Sequence, residues 1–310
     1  MDADNVASSR TIDGNGGVLD GIRETDHGLA RAAIHSRSAA HLVYRRGAHR
    51  RCARRTTMAN NLMLLSNSFS HGLGPLEHAM DALAEVFAGG HQVLFVGYAG
   101  SNPDAYTEAT RSVLASLGLA VTGAHRTPDP RVAITQADAV FVGGGNAFRL
   151  LHAVQRNGLL TAIRDRVRAG MPYVGVSAGA NLACPTIRTT NDMPIVEPET
   201  LAALALIPFQ INPHYPTAHP QDGHLIETRD QRLTEFLEEN DVPVLGLCDG
   251  SWLRVSGSRA ELGGTSNGRL FYRGHRPRDI EPGDDLTQLL HTSPTYDSPL
   301  TYAACWHANS

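Results

Sequence analysis

The clearest chemistry in this chain lies in a serine held between two glycines and a histidine 37 positions later. Gly175-Val176-Ser177-Ala178-Gly179 fits G-x-S-x-G, the turn in which a strand runs sharply into a helix and lifts a serine hydroxyl clear of the backbone. Gly143-Gly144-Gly145-Asn146 follows another apolar run, and glycines there let backbone N–H groups face an anion. In acyl transfer that anion is the tetrahedral oxyanion, and the N–H groups of Gly145 and Ala178 are the natural pair. Other readings of the glycine run are a phosphate loop or a plain turn. A serine nucleophile needs a base, and His214 in Ile211-Asn-Pro-His214-Tyr-Pro closes the apolar run Leu206–Ile211. His219 and His224 follow at five-residue spacing, but in a Pro-rich loop where no helix lines them up for a metal; no metal or cofactor is expected. Two acids can orient the base. Asp192 lies soon after the serine turn, and Asp249 ends the apolar run Val242–Leu247. Strand-end placement favours Asp249. Each also has an ordinary role, Asp192 in an Asx turn and Asp249 opening a hairpin turn.

These residues need a scaffold, and the pattern supplies one. Short apolar runs at Asn61–Leu65, Gln92–Val96, Ala120–Thr122, Ala139–Val142 and Tyr173–Val176 alternate with helical spacing at Leu76–Phe87, Pro103–Leu117, Pro130–Ala137 and Ala147–Arg168. The last stretch is broken near Asn157-Gly158. Such alternation predicts an α/β fold with a mostly parallel, doubly wound sheet and helices on both faces. After residue 240, Val242–Leu247, Trp252–Val255 and Arg269–Tyr272 predict an antiparallel extension of that sheet. Open α/β sheets bind ligands at the carboxyl ends of their strands, where Ser177, His214 and Asp249 all fall.

Composition removes several alternatives. All 27 basic residues are arginine, so a P-loop lysine, a lysine Schiff base and a Ser-Lys dyad are impossible. The net charge of -4 makes no case for nucleic acid or an anionic membrane surface. Cys52, Cys184, Cys248 and Cys305 form no CxxC pair and fit a reducing cytoplasm. No apolar stretch approaches the roughly 20 residues of a membrane helix, and the N-terminus lacks the apolar core of a secretory signal. Residues 1–57 carry a net +4 and residues 58–310 a net -8. The first segment, with its basic run from Arg45 to Arg55, is expected to be a disordered extension or translated upstream sequence preceding a start at Met58. A catalytic domain is expected over 58–275, and a partly ordered tail rich in Pro, Asp, Thr and Ser over 276–310.

The stretch from Val174 to Val196, with Ser177, Arg188 and Asp192 inside it, resembles the peptidase E family of bacterial α-aspartyl dipeptidases. So do Phe209–His214, Glu227-Thr-Arg229, Val142–Asn146 and Leu64-Leu-Ser-Asn-Ser68. The resemblance spans about Met58 to Tyr272. It implies a fold akin to class I glutamine amidotransferases with serine replacing their cysteine, and hydrolysis of Asp-Xaa dipeptides through an aspartyl-enzyme. Ser177 matches the nucleophile and His214 the base. The family's acid has been assigned to the position of Asp192 or to a glutamate that falls on Asp249. The aspartate here is one methylene shorter and reaches His214 only if the backbone or the ring shifts, so both acids stand. An N-terminal aspartate calls for a cation, and without lysine that cation is an arginine. Arg188 is the first candidate and Arg229 the second, with Asn146 beside them. A cyanophycinase-like hydrolase of aspartyl-arginine polymer and a non-catalytic binding protein of the same fold are the competing readings.

Overall fold

The computed structural model of the protein describes residues 60–70, 72–216 and 227–298. Residues 1–57, and His219 and His224, lie outside the described residues. In chain order the regular elements are β1 (Asn61–Leu65), α1 (Met80–Val86), β2 (Gln92–Val96), α2 (Pro103–Leu114), β3 (Ala120–Gly123), α3 (Pro130–Gln136), β4 (Ala139–Val142), α4 (Ala147–Arg156), α5 (Leu159–Arg168), β5 (Tyr173–Val176) and α6 (Ala178–Ala183). Then follow β6 (Gln210–Tyr215), α7 (Arg229–Glu239), β7 (Val244–Cys248), β8 (Ser251–Ser256), β9 (Arg259–Gly264), β10 (Gly268–Phe271) and β11 (Arg278–Ile280).

Seven strands form one sheet in the order β3-β2-β4-β5-β1-β8-β9. The first five are parallel; β8 joins antiparallel as the expected extension, and β9, which the sequence pattern did not mark, pairs antiparallel with β8. Continuous apolar strands sort their side chains by the two-residue period. Leu62 and Leu64 pack on one face with Leu150, Ile163 and Leu182 from α4, α5 and α6. Met63 and Leu65 pack on the other with Leu83 of α1 and Leu114 of α2. Helices begin where the sequence provides caps. Asn102 and Asp129 each accept a backbone N–H just ahead of a first-turn proline, and Asn146 does so for α4.

Part of the predicted extension lies elsewhere. β7 and β10 leave the main sheet and join β6 and β11 in a second sheet of order β11-β10-β7-β6, with β6 and β7 parallel. Two-sided burial explains the departure. Leu245 and Leu247 of β7 enter the main core, while Val244 and Cys248 face Leu233 and Leu237 of α7. A strand appended to the main sheet's edge would leave one of those rows in water. The segment expected as a tail enters the fold as well: Ile280, Leu286 and Leu289 are buried in the main core, and Asp241 pairs with Thr295.

Candidate active site

Ser177 stands between β5 and α6 with φ 52° and ψ −108°, a conformation that costs a non-glycine residue energy. The turn closes so tightly that neither flanking glycine has room for a side chain. A Cβ on Gly175 would lie 2.5 Å from the Gly179 carbonyl oxygen, and one on Gly179 would lie 2.3 Å from that of Val142. The buried Tyr173 hydroxyl donates to the Gly179 carbonyl at 2.7 Å, and the Ser177 N–H donates to Leu65 of β1 at 2.9 Å.

His214 sits on a second irregularity. Asn212 pairs with Gly246 and Tyr215 with Cys248, so β6 carries one residue more than β7 between these pairs. The extra residue forms a β-bulge that re-aims a side chain, and His214 takes φ 54° there. Its Nε2 lies 2.8 Å from Ser177 Oγ, and its Nδ1 lies 2.8 Å from Asp249 Oδ1. With the ring proton on Nδ1 facing the carboxylate, Nε2 is the acceptor for the serine hydroxyl. Burial pushes the Asp249 carboxyl up, but the hydrogen bond and charge of His214, together with a hydrogen bond from Ser66, outweigh it and hold the group below its ordinary value. The aspartate therefore reaches the ring despite its short side chain.

Asp192 is engaged elsewhere. Its Oδ2 accepts the Ala147 N–H at the start of α4 at 2.7 Å and the Thr190 hydroxyl at 3.0 Å. It stabilises that helix terminus, where a carboxylate is favoured. Asn146 is similarly committed: its side chain caps α4 and donates to the Met193 carbonyl at 2.8 Å.

In the glycine loop, Gly143 N–H donates to Val96, Gly144 N–H to the Tyr106 hydroxyl at 2.8 Å, and Asn146 N–H to Ala99. The N–H groups of Gly145 and Ala178 have no acceptor among the described residues. Gly145 has φ +129°, and a Cβ there would meet the Ala99 carbonyl at 2.7 Å. The loop abuts the serine, since a Cβ on Gly144 would lie 3.1 Å from that of Ser177. A cavity of about 350 Å³ opens over Ser177 and His214, walled by Asn67, Phe69, Tyr106, Gly144 and Gly145. Burial raises the Tyr106 phenol above its ordinary value, which keeps it a neutral hydroxyl.

The two arginines part company. Arg188 points into the C-terminal segment, where it bonds the carboxylate of Asp297 and reaches Asn240 Oδ1 and Ser298 Oγ at 3.4 Å. Neither it nor Arg229 is part of the cavity wall. The guanidinium expected beside the substrate is thus engaged by residues 297 and 298 of the C-terminal segment. Arg229, at the start of α7, bonds the side-chain oxygens of Asn191 and Asn212. Asn191 in turn donates to the carbonyl of Pro213, next to His214. Among the described residues Arg229 has only these neutral partners and no carboxylate, and burial lowers its guanidinium below the ordinary value.

Sequence reasoning missed Tyr106 and gave Ser66 no role. Ser66 follows β1 directly, so the strand-end rule that favoured Asp249 also pointed to it. Nothing in the sequence marks Tyr106, which arrives from within α2 by packing edge-on against Phe95 at 4.9 Å.

Residues 62–263 match Peptidase family S51. Peptidase E of Streptomyces coelicolor is 54% identical over 238 residues, covering 77% of this chain and 98% of the relative. Peptidase E of Salmonella newport is 48% identical over 225 residues, covering 72% and 98%. The crystal structure of a peptidase from an acI-B1 Actinobacterium superposes with a TM-score of 0.54 over 74% of this chain and 97% of that one, and at 15% identity the likeness extends to the fold alone. The chain belongs to peptidase family S51 and is a serine peptidase.

Proposed function

We propose that the chain hydrolyses dipeptides with an N-terminal aspartate, with Ser177 as nucleophile, His214 as general base and Asp249 as the acid that orients it. The observation that carries this reading is the continuous line from Ser177 Oγ through His214 to Asp249, with 2.8 Å at each step. His214 Nε2 takes the hydroxyl proton as Ser177 Oγ attacks the peptide carbonyl. The oxyanion rests on the N–H groups of Gly145 and Ala178. The C–N bond breaks as the imidazolium gives its proton to the leaving amine. Water then loses a proton to His214 and attacks the aspartyl ester, and as the acyl C–Oγ bond breaks the imidazolium returns that proton to Ser177 Oγ, releasing free aspartate. Asp249 holds the imidazole tautomer and stabilises the imidazolium in both halves of the cycle.

Arg229 is the residue we assign to the substrate's side-chain carboxylate. It is a half-buried cation with neutral partners only among the described residues, and its partner Asn191 holds the residue before His214. A desolvated guanidinium of this kind favours a carboxylate over a neutral side chain. The buried, unpaired thiols of Cys184 and Cys248 fit action in the cytoplasm, and among the described residues no helix is long and apolar enough to cross a membrane.

The reading is tested by assaying Asp-Leu, Leu-Leu and cyanophycin side by side. Cleavage of Asp-Leu well above Leu-Leu supports it. Comparable cleavage of Leu-Leu removes the aspartate specificity, and cleavage of cyanophycin alone replaces the dipeptide with the polymer.

A further inference from the structure

The bulge that re-aims His214 leaves its backbone N–H without a ladder partner, and the preceding Pro213 has no N–H to offer. The His214 N–H donates instead to Ser66 Oγ at 2.8 Å. The same hydroxyl lies 2.9 Å from Asp249 Oδ1 and 2.9 Å from the Leu247 carbonyl. Ser66 is fully buried and continues β1 of the main sheet, whereas His214 and Leu247 belong to the second sheet. One hydroxyl thus touches the backbone of the base, the carboxylate of the acid and the strand end that carries that acid.

We propose that Ser66 is a positioning residue for the hydrolysis, holding His214 in its positive-φ conformation and aiming the Asp249 carboxylate at the ring. The proposal rests on the Ser177–His214–Asp249 reading above. A serine hydroxyl has one proton and two lone pairs. Ser66 accepts from His214 N–H and gives its proton to either Leu247 or Asp249. Donation to Asp249 ties the acid to the backbone that carries the base, so the two parts of the site move together across the junction between the sheets. The bond from Asp249 Oδ1 to His214 Nδ1 then keeps its geometry while the imidazole gains and loses a proton. An apolar residue at position 66 would leave the His214 N–H without its acceptor and Asp249 Oδ1 with the imidazole as its remaining donor.

The test is the steady-state kinetics of Ser66→Ala on Asp-Leu, with Ser177→Ala and Asp249→Asn beside it and melting temperatures for all. Loss of a hydrogen bond to a charged group predicts a kcat about tenfold to a hundredfold lower, with KM nearly unchanged. In an Asp249→Asn background the same change costs less, because one of the two groups through which Ser66 acts has lost its charge. A Ser66→Ala variant that melts lower but keeps the wild-type kcat is only structural, and that result overturns the proposal. An undiminished cost in the Asp249→Asn background overturns it too. If Ser66→Ala does not fold, the nearly isosteric Ser66→Cys, a weaker donor, is read in the same way. Wild-type kcat in Ser177→Ala or Asp249→Asn sinks the triad reading instead, so the two failures are distinguishable.

Discussion

Ser177 and His214 both hold positive φ angles, 52° and 54°, and their side chains meet at 2.8 Å. They are two of the four non-glycine residues with positive φ among the described residues. Such conformations persist where the surroundings impose them. Glycine-tight packing imposes the first, and a bulge tied to Ser66 and Asn191 imposes the second. Strain on both partners lets two side chains from different sheets face each other without a long loop to either.

The acid is identified by comparing two isosteric changes. Asp249→Asn removes the group that fixes the imidazole tautomer and is expected to lower kcat by about 10⁴. Asp192→Asn is expected to leave kcat close to wild type, while Asp192→Ala lowers the melting temperature through loss of the bond to Ala147 at the start of α4. A kcat loss in Asp192→Asn as large as that of Asp249→Asn would reverse the assignment.

The two arginines separate in the same way. Arg229→Met is expected to lower kcat/KM for Asp-Leu by more than about tenfold, with little effect on any residual Leu-Leu cleavage. Arg188→Met is expected to lower the melting temperature by freeing the Asp297 segment and to leave kcat/KM unchanged. Equal losses of kcat/KM in both variants would place both side chains at the substrate.

Gly145→Ala tests the oxyanion loop. The added Cβ would meet the Ala99 carbonyl at 2.7 Å in a backbone with φ +129°, so the loop has to move and its N–H loses its aim. Removing one oxyanion donor costs about a hundredfold or more in kcat, and kcat should fall by that order with KM little changed. A wild-type kcat would mean that another donor takes the oxyanion.

Thiol chemistry reports on the core beneath the site. Burial pushes the Cys184 thiol up to about 12. Burial, with the nearby Asp249 and Asp279 charges, pushes that of Cys248 up to about 11. Neither forms appreciable thiolate at pH 8, so iodoacetamide should label neither in the native protein and both after denaturation, as read by peptide mass spectrometry. Native labelling of Cys184 at the unfolded rate would contradict its burial.

By itself the sequence determined the strand–helix alternation, the serine turn and the absence of lysine. These are local properties: runs at Asn61–Leu65, Ala139–Val142 and Tyr173–Val176 have the boundaries read from them, because apolar patterning, caps and glycines act within a few residues. Only the tertiary structure sets Asp249 beside His214 and Asp192 beside Ala147, pairs Arg188 with Asp297, and sends β7 and β10 into a second sheet. Each of these depends on partners far along the chain. Asp249 meets His214 across 35 residues and Ser66 across 183, and Arg188 meets Asp297 across 109. No periodicity encodes such pairs. They follow from which faces must be buried together, and the aspartate at 249 reaches its histidine because a bulge and one buried hydroxyl hold both in place.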